Sequence, residues 1–140
     1  MANPGPASSS FGNFVIDQQN AYRLVAFAKN VPVSAAGDVA MNVITPSSWA
    51  AATVVTVNSP GSTANVAAAT VGVYTGTGQT GTTILTTAAL TGQTTAAFAY
   101  VRAATNPSVI TSTPVLYANV GTTVAGGIVD IMVYGYDVQN

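Results

Sequence analysis

The chain is 140 residues long, carries three basic and four acidic side chains, and contains neither histidine nor cysteine. The missing cysteine excludes a disulfide framework, a thiol redox motif and a thiolate metal site. The missing histidine leaves any Ser or Thr nucleophile without its usual base.

The low charge also bears on partners. A free soluble domain ordinarily keeps about 25–35% charged residues on its surface, whereas 5% of this whole chain is charged and its net charge is −1. Such a surface has little electrostatic protection against association, which points to a chain covered by partners in an assembly. Three basic residues, Arg23, Lys29 and Arg102, cannot form the stripe that neutralises a phosphate backbone, so nucleic acid is not expected as a partner. A membrane is not expected either. Hydrophobic residues make up 49% of the chain, but Thr, Gly and Asn interrupt them before any run approaches the roughly 18 apolar residues of a spanning helix. Met1-Ala2-Asn3-Pro4-Gly5-Pro6 has neither a basic nor an apolar segment, so no signal peptide is expected.

Two units are expected along the chain: an extended N-terminal arm over residues 1–21 and a single β-sandwich domain over 22–140. Met1 to Ser10 is mostly Pro, Gly, Ser and Ala and cannot bury enough apolar area to fold alone. Phe11, Phe14, Val15 and Ile16 then offer an apolar stretch with which the arm could dock. From Tyr22 the pattern has period two: Arg23, Val25, Phe27 and Lys29 alternate with Leu24, Ala26 and Ala28. Asp38 to Thr45 places Val39, Met41 and Val43 on one face. Pro46-Ser47-Ser48 interrupts, Trp49 to Ala52 is expected as a short helical turn, and Thr53 to Val57 as a β-branched strand.

Further strands are expected over Asn65 to Thr75, Thr82 to Thr87, Thr95 to Arg102, Pro114 to Val120 and Ile128 to Val138. Ala88 to Gly92 reads as a bend, and Gly121 and Gly126-Gly127 bracket a loop. The last strand is apolar on both faces, so it belongs in the middle of a sheet or against a partner. About eight strands with turn signals between them predict an all-β antiparallel sandwich or barrel. Tyr134 and Tyr136 are candidate interface residues, because Tyr is enriched in interface cores. Arg23 and Arg102 are candidates because a guanidinium bridges carboxylates and carbonyls well. Phe11 and Phe14 complete the candidate interface.

Gly76-Thr77-Gly78-Gln79-Thr80-Gly81 matches the glycine pattern of a dinucleotide loop. That reading needs a helix at the loop and an acid about 20 residues later. The following Thr82 to Thr87 is strand-like, and no acid lies between Asp38 and Asp130, so a long hairpin turn is the better reading. Asp17, Asp38, Asp130 and Asp137 are isolated, unlike the clustered acids of a calcium loop. An isolated Asp at a strand end more often caps a turn. No catalytic, cofactor-binding or metal-ligating residue is put forward, and no enzyme activity is expected.

One set of segments goes further. Tyr22-Arg23-Leu24-Val25, Ala36-Gly37-Asp38-Val39-Ala40-Met41, Val71-Gly72-Val73-Tyr74-Thr75-Gly76, Leu116-Tyr117-Ala118-Asn119-Val120 and Asp130-Ile131-Met132-Val133-Tyr134-Gly135-Tyr136-Asp137 occur in this order. Together they resemble the small cement (decoration) proteins of tailed bacteriophages, of the jelly-roll type found in Bordetella phage. The resemblance spans residues 22–138 and rests on strand-and-turn patterns. It implies a jelly roll on the outer surface of the virion capsid, paired as a homodimer and clamping neighbouring major capsid protein subunits. The family has no catalytic residues to carry over. A second reading is a phage receptor- or carbohydrate-binding module, with Trp49 and Tyr74 or Tyr100 as the stacking platform.

Overall fold

The structure is a computed structural model that describes residues 22–44, 48–105, 109–110 and 115–137. The expected N-terminal arm, with Phe11 and Phe14, lies outside the described residues. The strands are β1 (Tyr22–Pro32), β2 (Gly37–Val43), β3 (Trp49–Asn58), β4 (Thr70–Tyr74), β5 (Thr83–Ala89), β6 (Ala99–Ala103), β7 (Val109–Ile110), β8 (Val115–Val120) and β9 (Ile128–Asp137). No α-helix occurs among the described residues; one 3-10 turn spans Thr77–Gln79. The all-β expectation therefore holds.

The strands hydrogen-bond in the order β5-β4-β8-β2-β1-β9-β3-β6, with β7 added beside β3. All these pairings are antiparallel. The early strands pair with the late ones in reverse order: β1 with β9, β2 with β8, β3 with β6, β4 with β5. The chain thus behaves as one long hairpin rolled up on itself. Two layers result, β5-β4-β8-β2 and β1-β9-β3-β6. They are joined where β1 briefly meets β2, at Ala26 opposite Val43 and Phe27 opposite Asn42.

Between the layers lies the core, built from Val25, Ala26, Val31, Met41, Trp49, Val54, Val71, Val73, Ile84, Leu85, Leu116, Val129, Ile131 and Val133 among others. Alternation sends these side chains inward from each strand. Two register shifts in β1 reset the alternation, between Leu24 and Ala26 and between Ala28 and Val31. That is why Val25 and Ala26, adjacent in sequence, are both fully buried. Asn30 sits in the second shift with φ 55°, a left-handed conformation that Asn tolerates better than most residues.

Three sequence expectations need correcting. Trp49 to Ala52 is the start of β3 and not a helical turn; pairing with β9 from Trp49 opposite Asp137 onward holds it extended. The strand expected from Asn65 starts only at Thr70. Asn65 Oδ1 accepts the Ala67 N–H at 3.0 Å and the Ala69 N–H donates to the Val66 carbonyl, so local turn bonds replace the ladder. The strand expected from Thr95 starts only at Ala99, because Thr94 Oγ1 accepts the Ala97 N–H at 3.0 Å.

The roll closes at a seam between β5 and β6. Thr105 N–H donates to the Ile84 carbonyl at 2.8 Å, and Thr86 N–H donates to Thr105 Oγ1 at 2.9 Å. Farther along, Arg102 replaces the ladder with a side chain: its Nη1 donates to the Val71 carbonyl at 2.9 Å and the Ala88 carbonyl at 3.3 Å. Its guanidinium also lies 5.8 Å from the centroid of the Tyr100 ring, within cation–π range. Burial pulls the Arg102 pKa below the ordinary arginine value, and Tyr100 opposes that shift.

Two substitutions test this account. At Gly135 a Cβ would fall on the Ala50 carbonyl oxygen, so Gly135→Ala should cost about 3 kcal/mol of stability, the upper range for overpacking. Arg102→Met removes the charged bridge across the seam and should cost about 1.5–3 kcal/mol. Urea unfolding followed by the emission of Trp49, the single tryptophan, measures both; midpoints equal to the parent's would refute the roles assigned to these residues.

Candidate functional site

The two layers present very different outer faces. On β5-β4-β8-β2 the outward side carries a set of polar groups bonded to each other, beside small apolar residues such as Ala40. Asp38 Oδ2 accepts the Gly78 N–H at 2.7 Å, and Asp38 Oδ1 accepts Asn119 Nδ2–H at 2.8 Å. Gln79 Nε2 donates to Asn119 Oδ1 at 2.9 Å. Tyr74 OH lies 2.8 Å from Thr87 Oγ1 and accepts the Thr87 N–H at 3.1 Å.

This network also settles the glycine-rich loop. Gly76 to Gly81 joins β4 to β5, which are antiparallel neighbours, so the segment is a hairpin turn as expected. Gly78 and Gln79 both have φ 63°. The loop amide of Gly78, the kind that would face a phosphate, already binds the carboxylate of Asp38.

The outer face of β1-β9-β3-β6 carries a largely apolar central band, with exposed Lys29 and half-buried Asp130 toward one end. Register places Phe27 opposite Met132, Met132 opposite Val55, and Val55 opposite Val101. Directly opposed residues share a face, so these four form an unbroken row across the layer. A parallel row runs Leu24, Tyr134, Thr53, Ala103, and Tyr22 lies opposite Tyr136. Val101 is 59% exposed, Tyr22 and Tyr136 are each 48% exposed, and nearby Phe98 is 63% exposed. Scattered exposed apolar residues need no explanation, but a contiguous patch marks an interaction surface. The acid on this side of β9, Asp130 opposite Val57, is engaged: its Oδ1 accepts Asn30 N–H at 2.8 Å and Ser59 Oγ–H at 2.6 Å. It thereby fastens the second β1 irregularity from within β9, where a turn cap at a strand end was expected.

At one end of this face three tyrosines cluster. Tyr22 stacks on Tyr134, with ring centroids 5.9 Å apart and planes at 16°. It meets Tyr136 edge-on, at 5.4 Å and 63°. The Tyr22 hydroxyl is hydrogen-bonded to Thr53 Oγ1, which holds its ring over the adjacent strands.

Of the residues singled out from sequence, Tyr134 and Tyr136 lie together on this face. Arg23, opposite Gly135 at the exposed start of β1, adjoins the tyrosine cluster in sequence but projects to the other side of the strand. Arg102 does not join them; it points to the seam, with Nη1 bonded within its own chain. Trp49 is fully buried and Tyr74 is 4% exposed, so the stacking platform expected from those two side chains does not exist. Tyr22, Phe27, Val55 and Val101 were not singled out. Their clustering depends on strand pairing across the chain, and the bulge near Val25 disguises which β1 residues face outward. Met132 had the one available signal, its place on the same side of β9 as Tyr134.

Among the described residues no group of three or more His, Cys, Asp or Glu side chains could hold a metal ion, and no helix is long and apolar enough to cross a membrane. Comparison with known protein families, curated proteins and solved structures finds no match.

Polar substitution on the exposed rows should leave folding intact while weakening adhesion. Val101→Thr, at an exposed position, is expected to shift unfolding stability by no more than about 0.5 kcal/mol, and Met132→Thr, at a half-buried one, by about 1 kcal/mol. The same pair should reduce binding of a hydrophobic dye and any self-association seen in sedimentation velocity. Equal dye binding by parent and variant would remove this face from consideration.

Proposed function

We propose that this chain is a structural capsid cement protein. It binds the outer surface of an icosahedral phage head and clamps neighbouring major capsid protein subunits, acting as a homodimer and by binding alone. The observation that carries the reading is the apolar row Phe27–Met132–Val55–Val101 on a chain with only 5% charged residues. A face of this kind suits a surface that is covered in its working state.

Two further points support it. The resemblance of residues 22–138 to tailed-phage cement proteins implies a jelly roll. The reversed pairing of early with late strands is what a jelly roll, two Greek keys wound together, requires. Physically, buried apolar area contributes on the order of 25 cal/mol per Å² before association costs are subtracted. Many copies bound symmetrically to one shell engage it multivalently. Modest affinity per copy then stabilises the whole particle.

A receptor- or carbohydrate-binding module is the second reading, favoured by one observation: the Tyr22, Tyr134 and Tyr136 rings offer aromatic surface of the sort sugars stack on. Copy number separates the two, since cement spreads over the shell and an adhesin sits at the tail. The direct test compares heads with and without this protein. Loss of the protein is expected to lower tolerance to heat and osmotic shock, and unchanged tolerance would defeat the proposal.

A further inference from the structure

We infer that the apolar outer face of β1-β9-β3-β6 is a docking site for this chain's own residues 11–16, folded back in cis. The inference does not depend on the cement reading; it concerns the free chain. Its basis is where the described strands begin. Tyr22 is the first residue of β1, and its ring already lies on the face, against Tyr134 and Tyr136. β1 therefore begins at this patch, and residues 1–21 precede it in the sequence.

Composition divides those residues usefully. Phe11, Phe14, Val15 and Ile16 are apolar, whereas Asp17-Gln18-Gln19-Asn20 is a polar spacer leading to Tyr22. Five spacer residues, 17–21, reach at most about 16–18 Å when extended. Crossing from β1 to β6 takes three strand spacings, about 14–15 Å. Residues 11–16 can thus cover any strand of the layer. The polar outer face of β5-β4-β8-β2 has no comparable need, since Asp38, Asn119, Gln79, Tyr74 and Thr87 bond to one another.

The chemistry of both surfaces agrees. Residues 11–16 carry no charge, and the row from Phe27 to Val101 presents none. Burying these side chains is opposed by the loss of conformational freedom of the segment. The docked segment is therefore in exchange and gives way to any competing apolar ligand, a dye or a larger partner included.

Paramagnetic relaxation tests this directly, because the chain has no cysteine to compete for a label. A spin label on Asn13→Cys in the full chain, with methyl-labelled protein, is expected to broaden Met132, Val55 and Val101 and to spare Ala40 on the opposite layer. Dilution with excess unlabelled chain should leave the broadening unchanged, and Phe11→Ser with Phe14→Ser should abolish it. Absent broadening, or equal broadening of Ala40, would overturn the inference. Broadening that appears between spin-labelled and isotope-labelled molecules in a mixture would overturn it too, by making the occupant a second copy. No shell is present in this experiment, so its result is separable from the fate of the cement proposal.

Discussion

The position of β9 between β1 and β3 is the constraint that organises the rest of the molecule. Hydrogen-bonded along both edges, β9 fixes the register of its neighbours, and with side chains alternating, register decides which residues meet the core. Val129, Ile131 and Val133 go inward, so Met132, Tyr134 and Tyr136 must go outward. Gly135 lets the β3 backbone approach closely, where Ala50 leaves no room for a Cβ. The irregularities in β1 and at Ala51–Thr53 in β3 keep buried residues in phase with β9 over its length. A slip of one residue on β9 would exchange Ile131 for Met132 and turn the apolar face into the core.

The same arrangement divides the labour of the two layers. Few charges are available, and those described are largely spent internally. Asp38 holds the β4–β5 turn, Asp130 holds the β1 irregularity, and Arg102 spans the seam. One layer satisfies its outward polar groups itself. The other leaves aromatic and aliphatic side chains in a row. On the proposed reading, the first layer is the passive side of the molecule and the second its adhesive side.

Much of the architecture was legible in the sequence, for identifiable reasons. Period-two alternation and β-branched runs give the strands directly, and β9, apolar on both sides, announces a central position. The Gly76–Gly81 turn is legible because Thr82 to Thr87, immediately after it, is strand-like. Other features were hidden. Trp49 to Ala52 looks helical in isolation, and only its pairing with β9 makes it extended. Asn65 and Thr94 divert their neighbours into local turns that propensity does not foresee. The apolar rows could not be assembled from sequence because Phe27, Val55, Val101 and Met132 are far apart in the chain. The Val25 bulge also inverts the alternation that would have assigned Phe27. Tyr134 and Tyr136 were visible because they share one strand; their partner Tyr22, more than a hundred residues earlier, was not.

The central claim is that the β1-β9-β3-β6 layer is the adhesive side of the molecule. A cryo-EM map of phage heads bearing this protein tests it most directly. The account predicts that density for major capsid subunits or a second copy covers Phe27, Met132, Val55 and Val101, leaving the exposed Asp38, Ala40 and Asn42 in solvent. Heads contacted through the Asp38 layer, with the Met132 row bare, would contradict it.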